Sequence, residues 1–206
     1  MRTSQPDPSN PWPHDMLLSI DTPNSLLKLL FIRHAWRLDI GEVPELDEAP
    51  PIGDSALPAG VDATEAAERW RAEWRRAWSA FDPRDRVVRE PDEDTARLLR
   101  ELSDDELVDA YSTQPSAFWD GGMDADAYGA WVMRPDELHA MPLEQQPERR
   151  NLAALIPAWR SGLRTIIELP YAGPFADRLH PETLVVSRRT RRDPELYTAA
   201  LSPRGS

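Results

Sequence analysis

The stretch "LRTIIELPYAGPFADRLHPETLVVSRRT", residues 163–190, decides how the chain is read. Its two ends, 163–173 and 183–190, are short runs rich in Ile, Leu and Val bounded by turn residues, the pattern of buried strands. Between them "PFADRLHPE", residues 174–182, is turn-rich, so the expectation is an antiparallel β-hairpin. Upstream, "PERRNLAALIPAWRSG" (147–162) places Leu152, Leu155, Ile156 and Trp159 at helical spacing and ends in Gly162, despite Pro157. Downstream, "RDPELYTAAL" (192–201) reads as a short helix capped by Asp193.

This C-terminal part is also set apart by charge. From residue 148 onward ten arginines face six acids, whereas the whole chain carries a net −12. "SRRTRRDP" (187–194) concentrates Arg188, Arg189, Arg191 and Arg192 between a strand and a helix start, and Arg149, Arg150, Arg160 and Arg164 lie nearby in sequence. A helix and hairpin with one basic face resembles the outline of a winged helix, which implies nucleic-acid binding through these arginines. The other reading is a solvated strand end whose arginines pair with the protein's own acids, each pair contributing about 0–1 kcal/mol.

Toward the N-terminus, "DATEAAERWRAEWRRAWSAFDP" (62–83) is the clearest helix. Asp62 and Glu65 have capping-box spacing, Pro83 ends it, and Trp70, Trp74 and Trp78 recur every four residues on one face. Such a stripe is what a helix buries, although stacking on a sugar or base is the functional alternative. Residues 39–61 hold four prolines and little periodicity, which predicts a long acidic surface loop or flap. Two short helices are expected over 92–111, the second opened by Ser103 with Glu106 three residues on, and another within "WDGGMDADAYGAWV" (119–132). "DGGMDAD" lacks the alternating oxygen ligands and final Glu of a calcium loop, so capping rather than metal binding is expected.

Residues 26–36, "LLKLLFIRHAW", end an apolar run in Arg33-His34-Ala35. This resembles the start of the histidine phosphatases, where a strand delivers Arg-His-Gly or Arg-His-Ala into the active site. The resemblance implies His34 as a nucleophile that forms a phosphohistidine and Arg33 as a phosphate ligand. "SALPAGVDATEAAERW" (55–70) echoes the same family's Pro-Leu-x-x-x-Gly stretch. The family's second histidine follows a strand, and none of His14, His139 and His180 follows an apolar one. Thr22 as N-cap, Pro23 at the first helical position and Gly41 past the end read instead as a helix with Leu27, Leu30, Phe31, His34 and Leu38 at helical spacing. On that reading the chain has no catalytic residue.

The chain of 206 residues is 40% hydrophobic and 29% charged, and its 21 prolines imply short elements and ordered turns. The expected fold is α+β, with short helices packed on a small C-terminal antiparallel hairpin and long proline-rich loops. The expected organisation is a flexible proline-rich tail, 1–15, before a single globular domain, 16–206. Within that domain, 16–147 is acidic and helical and 148–206 is basic.

The absence of cysteine excludes thiolate metal sites and disulfides. The first fifteen residues have no apolar segment of a signal peptide, and no run reaches the ~20 residues of a membrane span, so a soluble cytoplasmic protein is expected. The use of one lysine, Lys28, among 24 basic residues is what a GC-rich bacterial gene yields. No nucleophile–base pair, metal-ligand set or glycine-rich phosphate loop stands out, so no metal and no cofactor are expected. The expected function is a non-catalytic interaction or regulatory module, an adaptor or immunity-like protein, binding a protein partner through loop 39–61 and the arginine face. A phosphomonoesterase using His34 and nucleic-acid binding by the C-terminal arginines are the alternatives.

Overall fold

The computed structural model describes residues 11–82, 115–134 and 141–202. The predicted helices of 92–111 and His139 lie outside them. The chain forms two compact units, one spanning 23–134 and the other combining the N-terminal 22 residues with 135–206.

In the 23–134 unit, α1 (Asn24–Ala35) is buried through most of its length, including Leu26, Leu29, Leu30, Phe31 and Ile32. Pro23 is its N-cap, one residue later than the sequence suggests, and the helix stops well before Gly41. The cause is a six-residue closing turn in which Leu38 N donates to Arg33 O (3.0 Å) and Arg37 N to His34 O (3.2 Å). Arg37 takes the left-handed position of that turn, φ 52°, which glycine ordinarily fills.

Helix α2 (Ala63–Ser79) begins as its capping residues dictate, Asp62 accepting from Thr64 N and Glu65 N. Trp70 and Trp74 are buried and stacked with ring centroids 4.9 Å apart, and Trp70 Nε1 donates to Leu29 O of α1 at 2.7 Å. Trp78 is half-buried and meets Trp74 edge-on. A 3₁₀ turn (Ala117–Gly122) and α3 (Ala125–Val132, capped by Asp124) complete the described part of this unit. Trp119 is fully buried against Trp36 and Phe118.

The other unit is built on a four-stranded sheet, and here the fold departs from the expected simple hairpin. The strands are β1 (Ser19–Asp21), β2 (Thr165–Leu169), β3 (Ala176–His180) and β4 (Thr183–Ser187), in the order β1-β2-β4-β3. The two apolar runs, β2 and β4, pair parallel, Thr165 opposite Thr183 and Leu169 opposite Ser187. Two strands joined directly by a tight turn cannot be parallel, and the segment read as a turn supplies the reversal. Residues 176–180 form a third strand, antiparallel to β4, and the tight turn falls at Pro181-Glu182. β3 escapes a hydrophobicity reading because it is an edge strand and half-exposed, with the composition of a loop. β1 is three exposed residues, parallel to β2, within a stretch that carries no strand signal.

β2 and β4 are buried at every position, as central parallel strands require. On one face of the sheet α4 (Pro147–Arg150), α5 (Leu152–Arg160), α6 (Arg188–Arg192) and α7 (Pro194–Leu201) follow the chain. Leu155 and Ala158 of α5, Tyr197 and Leu201 of α7, and Ile166, Leu184 and Val186 of the sheet make a continuous core. Trp12, Met16 and Leu18 pack against it partly buried. The single helix expected over 147–162 is divided at Asn151, and the inward residues are Leu155 and Ala158 rather than Ile156 or Trp159. Strand β4 ends at Ser187, whose hydroxyl caps the next helix by accepting from Thr190 N at 3.1 Å, so the arginine run is helical.

Candidate interaction surfaces

Arg33 and His34 lie in the last turn of α1, not at a strand end. Arg33 is 4% exposed; its Nη1 donates to Val43 O at 2.7 Å, its Nη2 to Pro44 O at 2.8 Å, and the Glu45 carboxylate lies 3.3 Å from Nη2. A guanidinium cannot shed its charge, so burial is tolerated because these acceptors occupy its forks. The half-buried His34 lines a shallow cavity of about 380 Å³ with Arg33, Arg37, Leu38, Glu45 and Ile52. The helix presents its carbonyl end here, which favours cations and disfavours a phosphate. His14 and His180 belong to the other unit.

What Arg33 does is hold down loop 39–61, and it is one of several such anchors. Arg71 Nε pairs with Glu42 at 2.7 Å and its Nη2 donates to Asp39 O at 3.0 Å. Arg134 pairs with Glu48 at 2.6 Å. Asp124 accepts from Asp54 N at 3.0 Å while its own N–H donates to Ser55 Oγ at 2.8 Å. Gly122 O accepts from both Ala56 N (3.1 Å) and Trp36 Nε1 (2.8 Å). The loop is therefore a strap tied along its length. Val43, Pro50 and Ser55 turn inward, while Asp39, Glu42, Glu45, Asp47, Glu48 and Asp54 remain exposed.

Two of the carboxylates in these contacts are tuned by their hydrogen-bond partners. The backbone N–H groups of Ala127, Asp54 and Asp126 hold Asp124 below the ordinary aspartate value. Glu42 is likewise held low, first by its own N–H and then by Arg71. In both cases the hydrogen bonds favour the ionised form.

The arginine cluster of the sheet-based unit divides in two. Arg191 turns inward and is 11% exposed. Its Nε and Nη2 meet the two carboxylate oxygens of Glu148 at 2.8 and 3.1 Å, and Nη1 meets Glu168 of β2 at 2.9 Å. Tyr197 OH donates to Glu148 Oε1 at 3.0 Å. Burial alone works against the Arg191 charge, but the bonds and the field of Glu148 and Glu168 outweigh it and push its pKa up. Burial, then the Glu148 charge, pushes the Tyr197 hydroxyl well up, so it stays a donor. Arg188 leans the same way, 3.9 Å from Glu168. Of the six arginines the sequence nominates for binding, Arg191 is thus structural.

Arg149 and Arg150 follow Glu148 directly on α4, and the Glu148–Arg191 fork brings α4 against α6. The two arginine groups, far apart in sequence, thereby sit on helices that are joined at one corner. Arg150, Arg189 and Arg192 are exposed, and Arg149 is half-buried. No local signal joins the two groups; the pairing of Glu148 with Arg191 links the helices that carry them.

Among the described residues no group of three His, Asp or Glu is placed to hold a metal ion, and no helix is long and apolar enough to cross a membrane. Compared with protein-family models, curated proteins and solved structures, the chain matches none.

Proposed function

We propose that this chain is a cytoplasmic, non-catalytic interaction module that binds a protein partner, with strap 39–61 as the surface it presents. One observation carries the reading: a long irregular segment is tied down at successive points while its acidic side chains stay exposed. Loops beyond about 12–15 residues without secondary structure are uncommon in compact domains and usually functional. Ordering each residue costs roughly 1–2 kcal/mol of conformational entropy. A strap ordered in advance spares its partner that cost on binding. The exposed carboxylates suit a basic protein surface and would steer its approach, in keeping with the chain's net charge of −12.

The test is co-purification from the source cells, with recovered proteins quantified by mass spectrometry. Wild type is compared with Glu48→Lys/Asp54→Lys and with Arg75→Glu as a control on α2. Glu48 gives up only an exposed ion pair worth about 0–1 kcal/mol, so the first variant keeps its fold. A partner held by wild type and control but lost by the strap variant is the expected result. Equal recovery from all three proteins would sink the proposal.

A further inference from the structure

We infer that the arginine corner made by α4 and α6 is a second binding surface, and that its ligand is a short carboxylate-rich segment of a protein. The reading rests on how the acids of this unit are already used. Glu148 and Glu168 are committed to Arg191, with Arg188 beside Glu168. Asp193, next in sequence after the cluster, caps α7 by accepting from Glu195 N and Leu196 N at 2.9 and 3.1 Å. Among the described residues no carboxylate pairs with Arg149, Arg150 or Arg189. The buried fork fixes the backbone from which these side chains project. A planar guanidinium matches a carboxylate with two parallel hydrogen bonds, as Arg191 does with Glu148 inside the same corner.

Size decides between an acidic peptide and a nucleic acid. Duplex DNA carries a charge every ~1.7 Å and would extend past the corner over a chain of net −12. A short acidic segment can stay within the patch, where repulsion from acids farther away than about 8 Å is screened at physiological salt.

The experiment is a fluorescence anisotropy titration of the full chain with a labelled short poly-glutamate peptide and, separately, a labelled DNA duplex, at low and at physiological salt. Wild type is compared with Arg150→Glu/Arg189→Glu and with Arg75→Glu/Arg160→Glu, which changes net charge equally elsewhere. Circular dichroism confirms that each variant is folded. The expected result is salt-sensitive peptide binding, weakened about tenfold by the corner variant and little changed by the control. Equal weakening by both variants, or no peptide binding at low salt, overturns the proposal. Tighter binding of the duplex, lost in the corner variant, replaces the acidic segment with nucleic acid as the ligand.

Discussion

Arg191 and Glu148 meet through two hydrogen bonds, at 2.8 and 3.1 Å, across the junction of α4 and α6, and both side chains are about nine-tenths buried. With Glu168 and Tyr197 they tie both helices to β2 and α7. Two buried carboxylates thus depend chiefly on one inward guanidinium. Replacing Arg191 with Met keeps the bulk and leaves Glu148 and Glu168 without it. Breaking a buried pair from one side costs about 3–5 kcal/mol. Urea unfolding of Arg191→Met should show a loss of that order, and adding Glu148→Gln/Glu168→Gln should recover part of it. A loss under about 1 kcal/mol would mean that water already solvates the network.

Gly122 is where the strap crosses the 3₁₀ turn. A Cβ there would stand 2.4 Å from Ala56 O and 2.8 Å from the Trp36 ring, and neither neighbour is a flexible side-chain end. Overpacking of this kind costs about 1–3 kcal/mol. Gly122→Ala should lower the thermal midpoint and speed proteolytic cutting between 39 and 61, whereas Gly121→Ala, with open space at its Cβ, should change cutting little. Equal cutting of the two variants would mean that this crossing does not hold the strap.

How legible this architecture was depends on where each signal sits. Local signals carried their elements: Asp62 caps α2 and Asp193 caps α7 through adjacent N–H groups, as their sequence context implies. The apolar runs of β2 and β4 marked strands but not their relative direction, because direction depended on β3, whose exposed edge needs no apolar residues. The end of α1 was hidden by Arg37, which fills a position where glycine would have been visible. For comparison, Gly162 after α5 has φ 113° and closes the same kind of turn, Leu163 N to Ala158 O at 3.0 Å, and is visible in the sequence as a stop. The strap was recognisable as a long loop, yet its order was not, since Arg33, Arg71 and Asp124 reach it from separate helices or their caps. Arg191 could not be separated from its exposed neighbours, because its partners lie 43 and 23 residues away.

The Asp124 carboxylate sets an acid limit on the strap's anchorage. Its pKa is held below the ordinary aspartate value in the folded chain because it accepts from Ala127, Asp54 and Asp126 N–H groups. A depressed carboxylate stabilises the fold above its unfolded pKa, and the contribution is lost as pH falls through the folded value. The Asp124→Asn protein keeps an acceptor oxygen but no charge. Its thermal midpoint should lie below that of wild type near neutral pH, and the gap should close as pH drops below about 4. A gap independent of pH down to about 2 would show that packing, not the charge, accounts for the residue's effect.

His34 is tested most directly by chemistry. Phosphoryl transfer to its imidazole would need a phosphate cradled by arginine N–H groups, but Arg33 directs Nη1 and Nη2 to Val43 O, Pro44 O and Glu45. The carbonyl end of α1 adds a negative field at the same place. Background hydrolysis of a phosphomonoester is therefore expected, at the same rate, from wild type and His34→Ala. Arg37→Gly provides a second measurement on the same corner: it removes one exposed guanidinium and relieves a left-handed arginine, so it should raise stability by about 0.5–1 kcal/mol without altering that background. A wild-type rate well above background that falls on the order of 100-fold in His34→Ala would restore the nucleophile reading. A loss of stability in Arg37→Gly would show that its side chain contributes more to the corner than its strained backbone costs.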